Sequence, residues 1–484
     1  MTDRSLVYNG IWDEPIEALK DLGTILEKNG EALANALTDS TQVPIKFANL
    51  DIKYGIYILK DFEKYLEYLQ EQGLSLKNRV GVGKIASLIP FNMPGWGFTN
   101  SLSHAVIFPE NSITINLPSK SQRFNEKLVH LVGKEEPRYL TNRDNTPIFL
   151  KTSGRDFIKD NIHKTDVIQI YGHPTYFNPS VKEIAWGYNS TLILEGPGNN
   201  PGIVCQDADL KTAAKTMADE RTMNSGQVCM GLESLFIHED VYETFLNLLK
   251  KEFDQKAVGV AEYPKTDVGP IGKGIAKSAA RSLYEAVKGI VGYDNEKNPI
   301  LSESRARIIY ERPDFGVTEN LKNTKIEEFE FPEYEARSGF KQVPIIMIED
   351  ATPNMMIMQE EKFCPILPII KYSSDKEVID MINKNRNYYL ATTIYGEEER
   401  HQDLYRFGKE EFGNLFWNRN IFGFDTNDYY DVLRDGSGGY KYSRYKLIPD
   451  RSNPNYDSKK PDGYNFNICS GRTYWVHDDF SKPV

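Results

Sequence analysis

The chain has 484 residues, 40% of them hydrophobic and 26% charged, with a formal net charge of −11. That length suits two or three domains, and the acidic balance argues against nucleic acid or an anionic membrane surface as a partner, since both select basic faces. Met1-Thr2-Asp3-Arg4-Ser5 lacks the apolar core of a signal peptide and no apolar run is long enough to span a membrane, so a cytoplasmic protein is expected.

Apolar side chains at helical spacing (Ile16, Leu19, Leu22, Ile25, Leu26) predict a helix over residues 16 to 37, weakened at Gly23 and Gly30. A second helix is predicted from Ile56 to Gln70, with Phe62, Tyr65, Leu66 and Leu69 on one face. Ile85 to Ile89 reads as a buried strand that runs into Pro90-Phe91-Asn92-Met93-Pro94; taken by itself, Asn92 is a turn residue between two prolines. The upstream Gly81-Val82-Gly83-Lys84 imitates a dinucleotide fingerprint. It precedes a strand instead of joining a strand to a helix, so it offers no helix N-terminus to a pyrophosphate.

From there strand and helix patterns alternate. Strands are predicted over Ser112 to Leu117, through Ile148 to Leu150, over Asp166 to Tyr171 and over Thr191 to Leu194, with helices at Ser119 to Val132 and Pro179 to Trp186. Such alternation predicts a parallel sheet with covering helices.

The stretch from Leu192 to Met230 carries the chemistry. An apolar run ends on Glu195, followed by the turn Gly196-Pro197-Gly198-Asn199-Asn200-Pro201; at the far end, Asn224-Ser225-Gly226-Gln227-Val228-Cys229 sets a thiol behind a small-residue loop. A carboxylate and a thiol on loops between buried elements are what covalent catalysis with a general base requires. Taken singly, Glu195 is a strand-end acid capping the next turn and Cys229 a small buried hydrophobe. The other cysteines, Cys205, Cys364 and Cys469, are too scattered for a metal motif or a disulfide scaffold, and the seven histidines are isolated, so no metal site is expected.

Beyond Cys229 come a strand at Leu235 to His238, a helix at Val241 to Phe253, the turn Thr266-Asp267-Val268-Gly269-Pro270 and a helix to about Val287. Residues 295 to 338 are charged and irregular, and Glu311 to Glu335 reads as a solvated excursion. A strand at Val343 to Glu349 leads to Gln359-Glu360-Glu361-Lys362-Phe363-Cys364-Pro365, whose acids, read alone, are a solvated helix end. Strand segments at Tyr388 to Tyr395 and Gly413 to Trp417 precede Gly438-Gly439-Tyr440-Lys441-Tyr442-Ser443, a polar loop from Asp450 to Asn467 and a strand-like Arg472 to Val476.

In register, these boxes resemble the aldehyde dehydrogenase superfamily. That family writes its base as Glu-Leu-Gly-Gly-Lys-Ser-Pro, matched by Glu195, Gly198 and Pro201, and its nucleophile as Asn-x-Gly-Gln-x-Cys, matched by Asn224, Gly226, Gln227 and Cys229. Its Pro-Trp-Asn-x-Pro stands at Pro90 to Pro94 and its Glu-Glu-x-Phe-Gly-Pro at Glu360 to Pro365, with Cys364 replacing the glycine. The resemblance runs from about residue 30 to 445 and implies an α/β fold: a Rossmann-like cofactor domain (1–196), an α/β catalytic domain (197–425) and a C-terminal segment with a small oligomerisation arm (426–484). It implies Cys229 as nucleophile, Asn92 as side-chain donor to the oxyanion and Glu195 as the base that activates water. Glu361 would hold the nicotinamide ribose and Phe363 would flank the ring.

Two cofactor boxes depart from the family. Leu117-Pro118-Ser119-Lys120 stands where it has Lys-Pro-Ser-Glu, and Gly172-His173-Pro174-Thr175-Tyr176-Phe177 where it has Gly-Ser-x-x-x-Gly. Ser119, Lys120, Gly172 and His173 are the cofactor-binding positions so implied. Lys120 in place of an acid removes repulsion of a 2′-phosphate, which favours NADP over NAD. The implied partners are a small-molecule aldehyde and further copies of the chain in a homodimer or homotetramer. Two alternatives stay open: an acyl-CoA-forming relative, against which Glu195 argues, and a non-catalytic relative with a degraded cofactor site.

Overall fold

The structure is a computed structural model that describes residues 13–71, 79–135, 147–172, 190–326, 328–384, 390–421 and 471–473. Five short apolar segments form the first sheet: β1 (Lys84–Leu88), β2 (Ser112–Asn116), β3 (Ile148–Leu150), β4 (Val167–Tyr171) and β5 (Thr191–Glu195). All pairs are parallel, in the order β3-β2-β1-β4-β5. The chain moves outward from β1 through β3, then crosses to the other side of β1 for β4 and β5. The topological switch therefore lies between β1 and β4, where parallel sheets take ligands at their carboxyl ends.

Side chains alternate across this sheet as the pleat requires. Ile85, Val167 and Ile193 join the core shared with the N-terminal helices, while Ala86, Ile168 and Leu192 pack with Phe157 and Ile158 on the other face. Four helices lead into the sheet: Asp13–Lys28, Gly30–Thr41, Ile45–Lys60 and Phe62–Glu71. The helix predicted over 16 to 37 is thus two, because Asn29 interrupts it and its side chain donates to the Ile25 carbonyl at 2.9 Å, closing the first helix. The helix predicted from Ile56 starts at Ile45 and is interrupted at Asp61.

The second sheet has seven strands: β6 (Asn200–Val204), β7 (Leu232–His238), β8 (Arg307–Arg312), β9 (Ile345–Glu349), β10 (Ile366–Tyr372), β11 (Ala391–Tyr395) and β12 (Asn414–Trp417). Their order is β8-β9-β10-β7-β6-β11-β12, and only the β8–β9 pair is antiparallel. Ile203, Phe236, Ile348 and Ile370 fill one face; Val204, Leu235, Met347 and Ile369 fill the other. Near-continuous apolar runs are what a sheet covered on both sides demands.

The solvated excursion expected over Glu311 to Glu335 is instead packed. It begins on β8 and continues into helix Val317–Asn323, and Phe329 and Phe331 are buried. The Glu311 carboxylate accepts from the amides of Phe315 (2.8 Å) and Val317 (3.0 Å), capping that helix. Of the glycine-rich residues 81–84, only Val82 and Gly83 lie between strands, joining Arg79–Gly81, which pairs antiparallel with Gly471–Thr473, to β1. The helix expected at Pro179 to Trp186, the segment around Tyr388, the Gly438 to Ser443 box and the loop from Asp450 to Asn467 lie outside the described residues. Among the described residues no helix is long and apolar enough to cross a membrane, and no cluster of three potential metal ligands occurs.

Candidate active site

Three loops converge between the carboxyl edge of the first sheet and the amino edge of the second. The first follows β1 and ends where Pro94 opens helix Pro94–Val106, a position for which its fixed φ is preorganised. Asp51, buried on helix Ile45–Lys60, accepts from the Gly95 and Trp96 amides, each at 2.8 Å, and so caps this helix from outside. Burial pushes the Asp51 pKa up to about 7. With the helix start held, Asn92 just ahead of it reaches the other sheet. Its Nδ2 donates to the Gln227 carbonyl at 3.0 Å, and the Asn224 Nδ2 donates back to the Asn92 carbonyl at 3.1 Å.

The second loop carries Cys229. Helix Leu210–Thr222 starts on Asp209, whose carboxylate accepts from the Lys211 and Thr212 amides. After it three successive residues turn left-handed: Asn224 (φ 49°), Ser225 (φ 59°) and Gly226 (φ 78°). Such conformations cost of order 1–3 kcal/mol for each non-glycine residue and persist only where surroundings over-determine them. Here the Gly269 amide donates to Ser225 Oγ at 2.8 Å and the Gln227 amide to the Asn224 carbonyl at 2.9 Å. A Cβ on Gly226 would lie 2.5 Å from the Cys364 carbonyl carbon, so this backbone runs directly against the third loop.

The Cys229 thiol is free and half-buried. Its carbonyl accepts from Asn200 Nδ2 at 2.7 Å, and Gly198 passes so close that a Cβ there would overlap the same oxygen. Burial, then the carboxylates of Glu361 and Glu195, push the thiol pKa up to about 12. Glu195 is the last residue of β5, buried, in register with Tyr171 of β4.

The third loop follows the short helix Met356–Gln359. Glu360 is exposed, but Glu361 turns inward and accepts from the Gly198 amide at 2.9 Å. Burial, then the Glu233 carboxylate, push the Glu361 pKa up to about 8. Phe363 adopts φ 54° and meets Phe91 edge-on, with ring centroids 6.2 Å apart. The Lys120 ammonium stands 4.2 Å from the centre of the Phe91 ring, and partial desolvation lowers its pKa. Ser119 and Lys120 are exposed on the turn Ser119–Ser121 at the head of helix Gln122–Glu135, and Gly172 follows β4. These positions flank the switch point of the first sheet. His173 lies outside the described residues.

This donor set fits a dinucleotide: an ammonium for phosphate charge, a carboxyl group for ribose hydroxyls and an aromatic ring beside a flat heterocycle. The structure thus brings Asn92, Glu195, Cys229, Glu361 and Phe363 together across the seam, with Lys120 reaching it through Phe91. Four residues of the site escaped the sequence reading: Asn200, Arg221, Glu233 and Lys362. The available signal was a charge inside an apolar strand, Leu232-Glu233-Ser234-Leu235, since a fully buried acid demands partners.

The profile described as the aldehyde dehydrogenase family matches residues 12–291 and 299–445. A lactaldehyde dehydrogenase of Methanococcus maripaludis is 25% identical over 438 residues, covering 85% of this chain and 81% of that protein. A D-glyceraldehyde dehydrogenase (NADP(+)) of Thermoplasma acidophilum is 25% identical over 390 residues, covering 77% of this chain and 70% of that protein. Among solved structures, a 3,6-anhydro-L-galactose dehydrogenase aligns with a TM-score of 0.70 at 20% identity, over 90% of this chain and 83% of that one. The lactaldehyde dehydrogenase of Escherichia coli aligns with a TM-score of 0.67 at 19% identity, over 89% and 82%.

Proposed function

The chain belongs to the aldehyde dehydrogenase family, and from that premise we propose that it oxidises an aldehyde to a carboxylic acid with Cys229 as nucleophile and Glu195 as general base. The observation that carries this reading is the bond from Asn92 Nδ2 to the Gln227 carbonyl, which joins a loop of the first sheet to the loop bearing the thiol. NAD or NADP, when bound, supplies the hydride acceptor; Ser119, Lys120, Gly172, His173, Glu361 and Phe363 would hold it. The names of two relatives make a short hydroxyaldehyde the first substrate to test.

The chain's residues divide the work as follows. Cys229 Sγ, as thiolate, adds to the carbonyl carbon. The resulting oxyanion takes hydrogen bonds from the Cys229 backbone N–H and from Asn92 Nδ2, whose second hydrogen is left by the Gln227 bond. One such donor is typically worth about 100- to 1,000-fold in rate. The carbonyl re-forms as a thioester when the aldehyde C–H departs as hydride. Glu195 then takes a proton from water, the hydroxide adds to the thioester carbon and the thiolate leaves, a role worth roughly 100- to 10,000-fold.

The reading is tested with Cys229→Ala. It should lose aldehyde-dependent reduction of NAD(P) and its sensitivity to iodoacetamide while keeping its melting temperature, and Cys205→Ala, altered at a fully buried thiol, should lose neither. Persistence of aldehyde oxidation in Cys229→Ala would remove the nucleophile from the account.

A further inference from the structure

Glu233 sits on β7 with no solvent exposure, and its two oxygens face opposite ways. Oε1 accepts from Arg221 Nη1 at 2.7 Å; Oε2 accepts from the Lys362 backbone amide at 2.8 Å and lies 3.3 Å from Lys362 Nζ. Arg221, itself fully buried, reaches the nucleophile loop, where its Nη2 donates to the Gly226 carbonyl at 3.0 Å. Lys362, also buried, spends its ammonium on the carbonyls of Ile357 (2.7 Å) and Glu360 (3.2 Å), the backbone that presents Glu361 and Phe363. One carboxylate therefore has the strained thiol loop on one side and the strained Phe363 turn on the other.

We infer that Arg221, Glu233 and Lys362 form a clasp of positioning residues that holds the Cys229 loop and the Glu361–Phe363 turn in one fixed relation, so that disturbing either loop is felt at the other. The inference rests on the proposed role of Cys229, but it makes claims that aldehyde turnover does not decide. Simple hydrophobic replacement of a buried ion network is often neutral or stabilising, so bare stability does not explain three buried charges here. Two loops that each hold left-handed non-glycine residues need outside restraint, and Glu233 adds to it at both, directly at the Lys362 amide and through Arg221 at the Gly226 carbonyl.

The test asks whether the coupling is reciprocal. Lys362→Met removes the ammonium from the turn and from Glu233 without touching the thiol loop itself, yet the nucleotide-free protein should be alkylated at Cys229 by iodoacetamide roughly 5-fold faster or more, the lower end of ordinary coupling between sites. Loss of a nearby positive charge alone would disfavour thiolate and slow the reaction, so acceleration is diagnostic of a released loop. Arg221→Met removes the bonds to the Gly226 carbonyl, to Glu233 and to the Leu232 carbonyl, and in a Cys229→Ser background it should weaken NAD and NADP binding, read by nucleotide fluorescence, by a similar factor. Arg221→Met/Glu233→Leu/Lys362→Met fills the site with apolar volume and serves where a single variant fails to fold; it should melt within a few degrees of wild type but show both changes. Wild-type alkylation and wild-type nucleotide affinity in the folded triple variant would overturn the clasp. If wild type binds no nucleotide, the proposed function fails, while the alkylation arm still decides on the clasp.

Discussion

At Cys229 the surroundings favour the thiol. Burial and two carboxylates push its pKa up to about 12, with Glu361 contributing ahead of Glu195. The thiolate fraction in the nucleotide-free protein is then minute at neutral pH and should rise about tenfold per pH unit between pH 7 and 10. Alkylation by iodoacetamide should follow that slope without a plateau; a plateau below pH 9 would contradict it. At pH 9, above the Glu361 value of about 8, this residue is ionised, so Glu361→Gln should accelerate alkylation more than Glu195→Gln does. Lys120 is the other residue whose charge enters the proposed function. It rests over Phe91, a contact worth about 0.5–2 kcal/mol. Lys120→Glu should still shift the NADP to NAD ratio of kcat/KM towards NAD, because a carboxylate there repels the phosphate. An unmoved ratio would show that Lys120 does not select the cofactor.

Among the elements, helix Pro94–Val106 supports the proposed oxyanion donor, because Asp51 fixes its first turn just beyond Asn92. In the fold Asp51 keeps its proton to about pH 7, against 3.8 for an ordinary aspartic acid. A carboxyl raised in the folded state contributes stability that is fully present below the unfolded value and lost as pH rises through the folded one. Between pH 4 and 7 wild type should therefore lose stability relative to Asp51→Asn, with a slope approaching roughly 1.4 kcal/mol per pH unit, measurable as unfolding midpoints in urea. Parallel curves for the two proteins would place the titration elsewhere. Elements of this kind were legible in the sequence wherever local pattern decides them. The alternating βα order and the strand end at Tyr171 are each fixed by a few neighbouring residues. The breaks at Asn29 and Asp61 were not legible, since both residues are tolerable within a helix. The segment from Glu311 to Glu335 misled because its charge suggests solvent, while the Glu311 carboxylate is spent on capping the helix a few residues ahead and Phe329 and Phe331 are buried.

Across the whole molecule, the site exists because the carboxyl edge of one parallel sheet meets the amino edge of another. Asn92 and Glu195 come from the first, Cys229 and Glu361 from the second, and neither sheet carries a complete set. Motif spacing revealed the residue types; of the buried charges that tie the loops together, Glu233 alone has a local sign, an acid inside an apolar strand, while the partners it finds in Arg221 and Lys362 emerge only in three dimensions.

The central claim is that an acyl group is carried on Cys229 and released by water that Glu195 deprotonates. Glu195→Gln retains the shape of the side chain but cannot accept a proton. Mixed rapidly with a short hydroxyaldehyde and saturating NAD or NADP, it should give a burst of reduced nucleotide close to one per active site, then turn over slower than wild type by roughly 100-fold or more. Mass spectrometry of the quenched protein should find the acyl group on the peptide containing Cys229. Normal steady turnover by Glu195→Gln, accelerated by free CoA and with no acyl group on that peptide, would contradict the hydrolytic account and favour transfer to a thiol acceptor.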